Sequence, residues 1–455
     1  MKKWQENSCQ GRLFSYLGDG QIQCLLSPRQ CKMQKGQYGF CGVRMNKNGI
    51  LHTLNYGKSV SLTEEVVETD AIFHYMPGAR TLSLGNIGCM LSCDFCQNWR
   101  TSQARFVMDK DVHEYTPHQV VAKAKERDLD ILSWTYNDPV VWHEFVMDTS
   151  RLAHQYGLKN LYKSAFFISM EAVSQLCATI DMFSISIKTL DEKLYSKISR
   201  GWLPPVLEAT KHVFSQGKHL EISNLMVTDL NDSENDARTI AQWVLENLSD
   251  EVPLHFVRFH PDYKYTHVSR TPIHRLVKAR QVAMEMGIKY CYLGNIHGNE
   301  GTNTYCSTCG HLLIERYGLN TCIRGLQDDG CCSQCETPLN VVLMPRKSQR
   351  EKNIEREDTA LALFQERRYE WQQEIIACHI EVKNIGNEMT SVYYWRLLRN
   401  GGSSGPFKYP IHNHDNYRFV ISKHSPDEKG IHIKYPNQVK LNIYDVLDRA
   451  HFPTI

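Results

Sequence analysis

The chain has 455 residues, of which 42% are hydrophobic and 22% charged, with a formal net charge of +2. This is the composition of a globular protein of more than one domain. Near-neutrality leaves no basic stripe for nucleic acid, and no apolar run approaches the ~20 residues of a membrane span. The opening MKKWQENSCQGRLF carries two lysines with no apolar segment behind them, so no secretory signal is read and the expected compartment is the cytoplasm. There, the sixteen cysteines read as metal ligands or buried thiols rather than disulfides.

In chain order, residues 1–75 form an N-terminal segment with a first thiol group, Cys24, Cys31 and Cys41. Residues 76–298 alternate strand-like apolar runs with amphipathic helical stretches. The runs begin at Thr81, Asp130, Lys159, Asp181, His219, Pro253 and Ile288, and Asp232-Ser233 ahead of Glu234 reads as a helix N-cap. Repeated βα units imply a parallel sheet, doubly wound or curled into a full or partial barrel, with functional groups at the C-terminal strand ends. Cys89, Cys93 and Cys96 follow the first strand directly.

Residues 299–345 hold two CxxC knuckles, Cys306/Cys309 and Cys332/Cys335, 22 residues apart (310 to 331). The spacing predicts a zinc-ribbon-like module with a closed structural zinc; the rivals are an auxiliary iron–sulfur cluster and a redox-active pair. A charged linker spans 347–357. The remainder of 346–455 is expected to be an α+β accessory domain for substrate or partner recognition. It would have one helix over TALALFQERRYEWQQEII (359–376), then strands and a polar loop at His412–Asp415.

CMLSCDFC, Cys89 to Cys96, packs three thiols into eight residues. Three cannot pair evenly as disulfides, and a zinc site wants a fourth ligand that does not follow. An iron–sulfur cluster on three cysteines leaves one iron open for a cofactor or substrate. A strand, then CxxxCxxC on a loop with an aromatic residue (Phe95) before the last cysteine, then βα units, resembles the radical S-adenosylmethionine (SAM) superfamily.

The similarity narrows over about residues 20–340. MPGARTLSLGNIGCMLSCDFCQNWRTSQ, CLLSPRQCKMQKGQYGFCGVR, WTYNDP, HFVRFHPDYK, YLGNIHGNEGTNTYCSTCG and CSQC resemble the AmmeMemoRadiSam-system radical SAM enzymes, relatives of the pyruvate formate-lyase activating enzyme. The resemblance implies a partial (β/α) barrel in which Cys89, Cys93 and Cys96 hold a [4Fe–4S] cluster. The open iron takes SAM, and an electron donor such as flavodoxin or ferredoxin drives its cleavage. It implies SAM contacts at Thr135, Asn137 and Asp138 (TYNDP), at Ser186 and Lys188 (an Asp-x-Lys pattern), and at His260. Asn137-Asp138-Pro139 also reads as a turn and cap, and Lys188 as a solvated charge.

Three departures stand out. Lys163-Ser164-Ala165 occupies a TNG-like triplet, with Ser164 at a cofactor position. Ser186 replaces the acid of Asp-x-Lys, and Ser27 interrupts the N-terminal CxxC, so we assign that thiol group no metal. The expected function is hydrogen abstraction from a small-molecule or peptide substrate. The alternatives are installation of a glycyl radical on a partner protein and a non-catalytic iron–sulfur and zinc scaffold.

Overall fold

A computed structural model describes residues 2–296 and 300–344, and beyond them only strands between 364 and 446. The chain divides into two units, Met1–Met344 and Pro345–Ile455.

The first unit is built on one eight-stranded sheet. Its strands are β1 (Ser61–Val66), β2 (Arg80–Gly85), β3 (Ile131–Trp134), β4 (Lys159–Ser164), β5 (Met182–Ser186), β6 (His219–Met226), β7 (Leu254–Arg258) and β8 (Cys291–Gly294). They lie in chain order. β2 to β8 are parallel, and β1 pairs antiparallel with β2 at the edge. All seven parallel strands read from the sequence are present. Among the described residues the two edge strands do not pair with each other, so the βα barrel is partial. The helices fall between strands because each carries apolar residues at helical spacing and a start signal. Thr116 caps Pro117–Glu126 and Ser233 caps Glu234–Asn247, each in a capping box. Glu192–Ser199, capped by Asp191, is a helix that the apolar pattern alone did not mark.

Register decides what the barrel encloses. Alternate residues face opposite sides of a strand. Leu82, Leu84, Leu132, Trp134, Phe183 and Ile222 belong to the main core. The intervening set is polar. Ser83 stands beside Ser133, and Lys163 stands beside Ser184, which stands beside Glu221. Ser186, Ser223, His255 and Tyr292 form one row across four strands. Ile131, Leu161 and Met182, inward positions near the strand starts, instead join Val67, Ile72, Tyr75 and Met76 in a separate apolar cluster. The strand starts of the barrel interior are therefore apolar, and the middle of the strands carries the polar set, with Leu225 and Val257 again apolar beyond Ser223 and His255.

The N-terminal segment is fastened to the barrel by a buried ion pair. Arg44 Nη1 donates to Glu144 at 2.9 Å, with both side chains 2% exposed. Glu144 Oε1 also accepts the Arg12 amide at 2.6 Å. Burial, the largest single effect, would raise the Glu144 pKa, but the Arg44 charge together with His143 and the Arg12 amide brings the carboxyl below its ordinary value. The chain also turns back through a four-cysteine module at 304–335, whose strands Thr304–Tyr305, Leu312–Tyr317 and Asn320–Ile323 form a small antiparallel sheet.

In the second unit the described residues are all strand. One sheet orders Phe364–Glu370, Glu428–Pro436, Thr390–Leu398 and Ser403–Ile411; another orders Asn416–Ser422, Ala377–Asn384 and Val439–Val446. Over Phe364–Glu370 this corrects the helix expected across 359–376; the rest of that stretch lies outside the described residues. Phe364–Glu370 pairs residue for residue with Gly430–Pro436, and such cross-strand pairing overrides the helix propensity of LFQERRYE. The linker at 347–357 and the His412–Asp415 loop lie outside the described residues.

Glu144→Gln should leave Arg44 buried and unpaired at a cost of about 3–5 kcal/mol, seen as a lower urea midpoint. Replacing both, Arg44→Met with Glu144→Leu, should recover most of that loss. The pair's contribution is present at neutral pH, where the depressed carboxyl is ionised, and is lost as acid protonates it. A single variant with an unchanged midpoint contradicts this role.

Candidate functional site

The loop that leaves β2 carries Cys89, Cys93 and Cys96, and its position is set by side-chain amides rather than by a regular element. Asn137 Oδ1 accepts the Asn86 amide at 3.0 Å, and its Nδ2 donates to the carbonyls of Asn86 (2.7 Å) and Gly88 (2.9 Å). Asn98, past the last cysteine, donates its Nδ2 to the Tyr136 carbonyl. Tyr136 sits at φ +69, in the left-handed region that costs a non-glycine residue energy. Gly88 is at φ +92, and a Cβ there would lie 2.8 Å from the Cys41 carbonyl and 3.0 Å from Val43. Only glycine fits where the N-terminal segment meets this loop. Further along, Ser92 and Asp94 donate their amides to the Ser199 and Ile198 carbonyls, so the helix Glu192–Ser199 holds the middle of the loop.

The three thiols line one pocket with Asn137, Asp138, Ser164, Ser186 and Lys188. Five residues expected to contact SAM thus stand beside the cysteines. Asp138 is buried and accepts from Ser164 Oγ (2.8 Å), the Ala165 amide (2.8 Å) and the Val140 amide (3.2 Å). Burial still leaves its pKa above the ordinary carboxylate value. Ser186 Oγ bonds Ser223 Oγ at 2.9 Å. Two of the expected residues stand apart from this pocket. Thr135 does not line the pocket: its hydroxyl donates to the buried Asp70 at 2.6 Å. His260 is exposed, with Nδ1 2.8 Å from the neighbouring Pro261 carbonyl, and also stands off the pocket. Their motifs place them at strand ends, but a strand-end loop can turn its side chains away from the barrel mouth.

Sequence reasoning missed Tyr136 and Lys163, which line the same pocket. Lys163, Ser186 and Lys188 also line a second cavity of ≈ 420 Å³ that runs into the barrel interior, with Ser223, His255 and Val257 on its wall. His255 Nε2 and Glu221 Oε2 are 2.6 Å apart. Glu221 is fully buried and also accepts from His219 and from the Phe73 and His74 amides. Burial would raise the Glu221 pKa, but the donors on it drive it far below the ordinary value. The lone signal for these residues was the polar member of each alternating strand.

Residues 86–244 match the sequence profile described as the radical SAM superfamily. An uncharacterised protein of Methanocaldococcus jannaschii is 40% identical over 332 residues, 72% of this chain and 98% of that one. The benzylsuccinate synthase activating enzyme of Thauera aromatica is 23% identical over 171 residues, 33% of this chain and 51% of its own length. This chain belongs to the radical SAM superfamily. Among solved structures, a domain of a pyruvate-formate lyase-activating enzyme from Bacteroides vulgatus aligns at 14% identity and a TM-score of 0.32, covering 36% of this chain and 98% of that domain.

Membership in the radical SAM superfamily implies SAM and an iron–sulfur cluster, and the thiol geometry separates two kinds of site. Cys306, Cys309, Cys332 and Cys335 have ligand atoms all within 4.8 Å of one another. The Cys306–Cys335 and Cys309–Cys332 sulfurs are 3.5 and 3.7 Å apart. Four thiolates at about 2.3 Å from one tetrahedral ion stand about 3.8 Å apart, so this quartet fits a single four-coordinate metal. Cys89, Cys93 and Cys96 share a pocket but do not form so tight a group among the described residues. Cys24, Cys31 and Cys41 line a small cavity with Arg29 and likewise form no tight group.

Burial favours the protonated thiol at Cys89, Cys93 and Cys96. Burial raises all three, Cys93 to about 11, with the Lys188 charge opposing it there. In metal-free protein at about pH 8, alkylation of Cys93 by iodoacetamide should run about a hundredfold slower than that of free cysteine and quicken as the pH approaches about 11. Peptide mass spectrometry reads this, and a midpoint at the free-cysteine value contradicts it.

Proposed function

We propose that this radical SAM protein is an enzyme that removes a hydrogen atom from a small-molecule or peptide substrate held inside the barrel. One observation carries the reading: the pocket of three thiols and the ≈ 420 Å³ cavity in the barrel share Lys163, Ser186 and Lys188 on their walls. Cys89, Cys93 and Cys96 would hold the [4Fe–4S] cluster, which in its reduced state cleaves bound SAM and supplies a 5′-deoxyadenosyl radical. The chain's own work is positional. Asn137 and Asn98 fix the loop, Asn137, Asp138, Ser164, Ser186 and Lys188 line the cofactor side, and the surrounding barrel excludes water.

Lys188 suits that place electrostatically. Its ammonium has no ion-pair or hydrogen-bond partner among the described residues; burial opposes its charge, but Cys93, Cys96 and Cys89 as thiolates, with Asp138, raise its pKa above the ordinary value. The Cys306, Cys309, Cys332 and Cys335 quartet holds a structural zinc in this reading, and flavodoxin or ferredoxin donates the electron. The cytoplasm keeps such thiols reduced. Glycyl-radical activation of a partner protein is favoured only by the benzylsuccinate synthase activating enzyme, of which the chain spans about half. A cavity of ≈ 420 Å³ suits a small molecule or a single extended side chain.

Anaerobically reconstituted protein should convert SAM to 5′-deoxyadenosine under a reductant. Cys93→Ala should reduce this to the background of reductant alone while metal analysis still finds zinc. Absence of product from cluster-loaded wild type rejects the enzymatic reading.

A further inference from the structure

The interior cavity has an uneven charge balance. Three cations line it, Lys163, Lys188 and Arg316, against one acid, Glu68. Arg316 and Glu68 are already committed. The Arg316 guanidinium donates to the Phe73 carbonyl (2.7 Å) and Thr304 Oγ1 (2.8 Å) and stands 3.5 Å from Glu68 Oε1. The same Glu68 oxygen accepts from Thr321 Oγ1 (2.6 Å) and the Gly78 amide (2.9 Å). This pair belongs to the wall, where the hairpin of the four-cysteine module closes the side of the barrel.

Lys163 is different. Its nearest acid, Asp70, lies 3.9 Å away, beyond hydrogen-bond reach, and both Asp70 oxygens already accept the hydroxyls of Ser133 and Thr135. The three N–H donors of Lys163 therefore have no acceptor among the described residues, although its side chain is only 28% exposed. A partly buried ammonium without an acceptor is costly, and an anion placed against it recovers that cost. Lys188 stands at a position the family resemblance gives to SAM, whereas Lys163, at the first place of the TNG-like triplet, lines both the thiol pocket and the interior cavity. Beyond Lys163, Leu225, Val257 and Leu293 supply an apolar stretch of wall.

We propose that the barrel interior binds the substrate as an anion, a carboxylate or phosphate on a hydrocarbon body, with Lys163 as the group that meets its charge. The inference rests on the radical SAM reading and names the substrate class of that same site. His255, anchored through Nε2 on Glu221, keeps Nδ1 without a protein partner among the described residues and offers the bound molecule one further polar contact.

The test uses reconstituted, SAM-loaded protein and three probes of one chain length: hexanoate, hexyl phosphate and the uncharged hexanamide. Each preparation is first scored for 5′-deoxyadenosine, so that a failure of the radical chemistry and a failure of the chamber read out separately. By calorimetry, at least one anion should bind about tenfold or more tightly than the amide, the expected strength of one charge-assisted contact. The tighter anion identifies the headgroup. Lys163→Gln should abolish the preference and Lys163→Arg should keep it, with the cluster's visible absorbance confirming that both variants are assembled. Equal binding of acid and amide, binding of neither, or a preference that survives in Lys163→Gln (an adventitious ion only) overturns the proposal.

Discussion

The amide of Asn137 closes on both sides of the Asn86–Gly88 backbone, and the placement of the reactive loop follows from that contact. It uses the acceptor and both donors of one side chain, so it acts as a short piece of strand where no strand runs. The three thiols sit on a loop that would otherwise be free to drift from the strand ends. Tyr136 takes a left-handed backbone beside Asn137 and presents its carbonyl to Asn98. TYNDP thus serves the loop first and the cofactor pocket second. Strain at one residue is offset by fixed geometry at three, a trade that backbone strain near functional sites commonly reflects.

The second constraint is parity along the strands. Because the side-chain period is two, each strand commits one set of residues to the helices and the other to the interior. The apolar set packs densely. The polar set encloses a cavity whose groups are largely satisfied by one another: Glu221 by four donors, Asp70 by two hydroxyls, Arg316 by carbonyls and Glu68. Lys188 stands outside that network, and Lys163 touches it only through a long 3.9 Å ion pair with Asp70 that leaves its N–H donors without an acceptor among the described residues. A buried polar network rigidifies its surroundings when satisfied, and the groups it leaves over are those available to a ligand.

Much of this was legible in the sequence. CxxxCxxC after the first strand, seven alternating runs and two CxxC pairs carry enough pattern to place the thiols, the parallel sheet and the four-cysteine module. What pattern cannot supply is where a strand-end side chain turns. Thr135 and His260 follow the right strands but bond Asp70 and Pro261 instead of lining the pocket. Lys163 and His255 lie in motifs that the sequence marks without marking their direction: a polar residue in a short strand faces inward or outward according to register with neighbours far along the chain. FQERRYE has helix-forming residues by local propensity and forms a strand because Gly430–Pro436 pairs with it.

The account turns on three thiols holding a four-iron cluster with one iron left open beside the polar interior. Mössbauer spectroscopy of reconstituted protein, with and without SAM, tests this most directly. The account predicts that SAM changes the signal of one iron in four and that replacing Cys89, Cys93 and Cys96 together by alanine removes the cluster. Four irons indifferent to SAM, or a cluster that survives the triple replacement, contradict it.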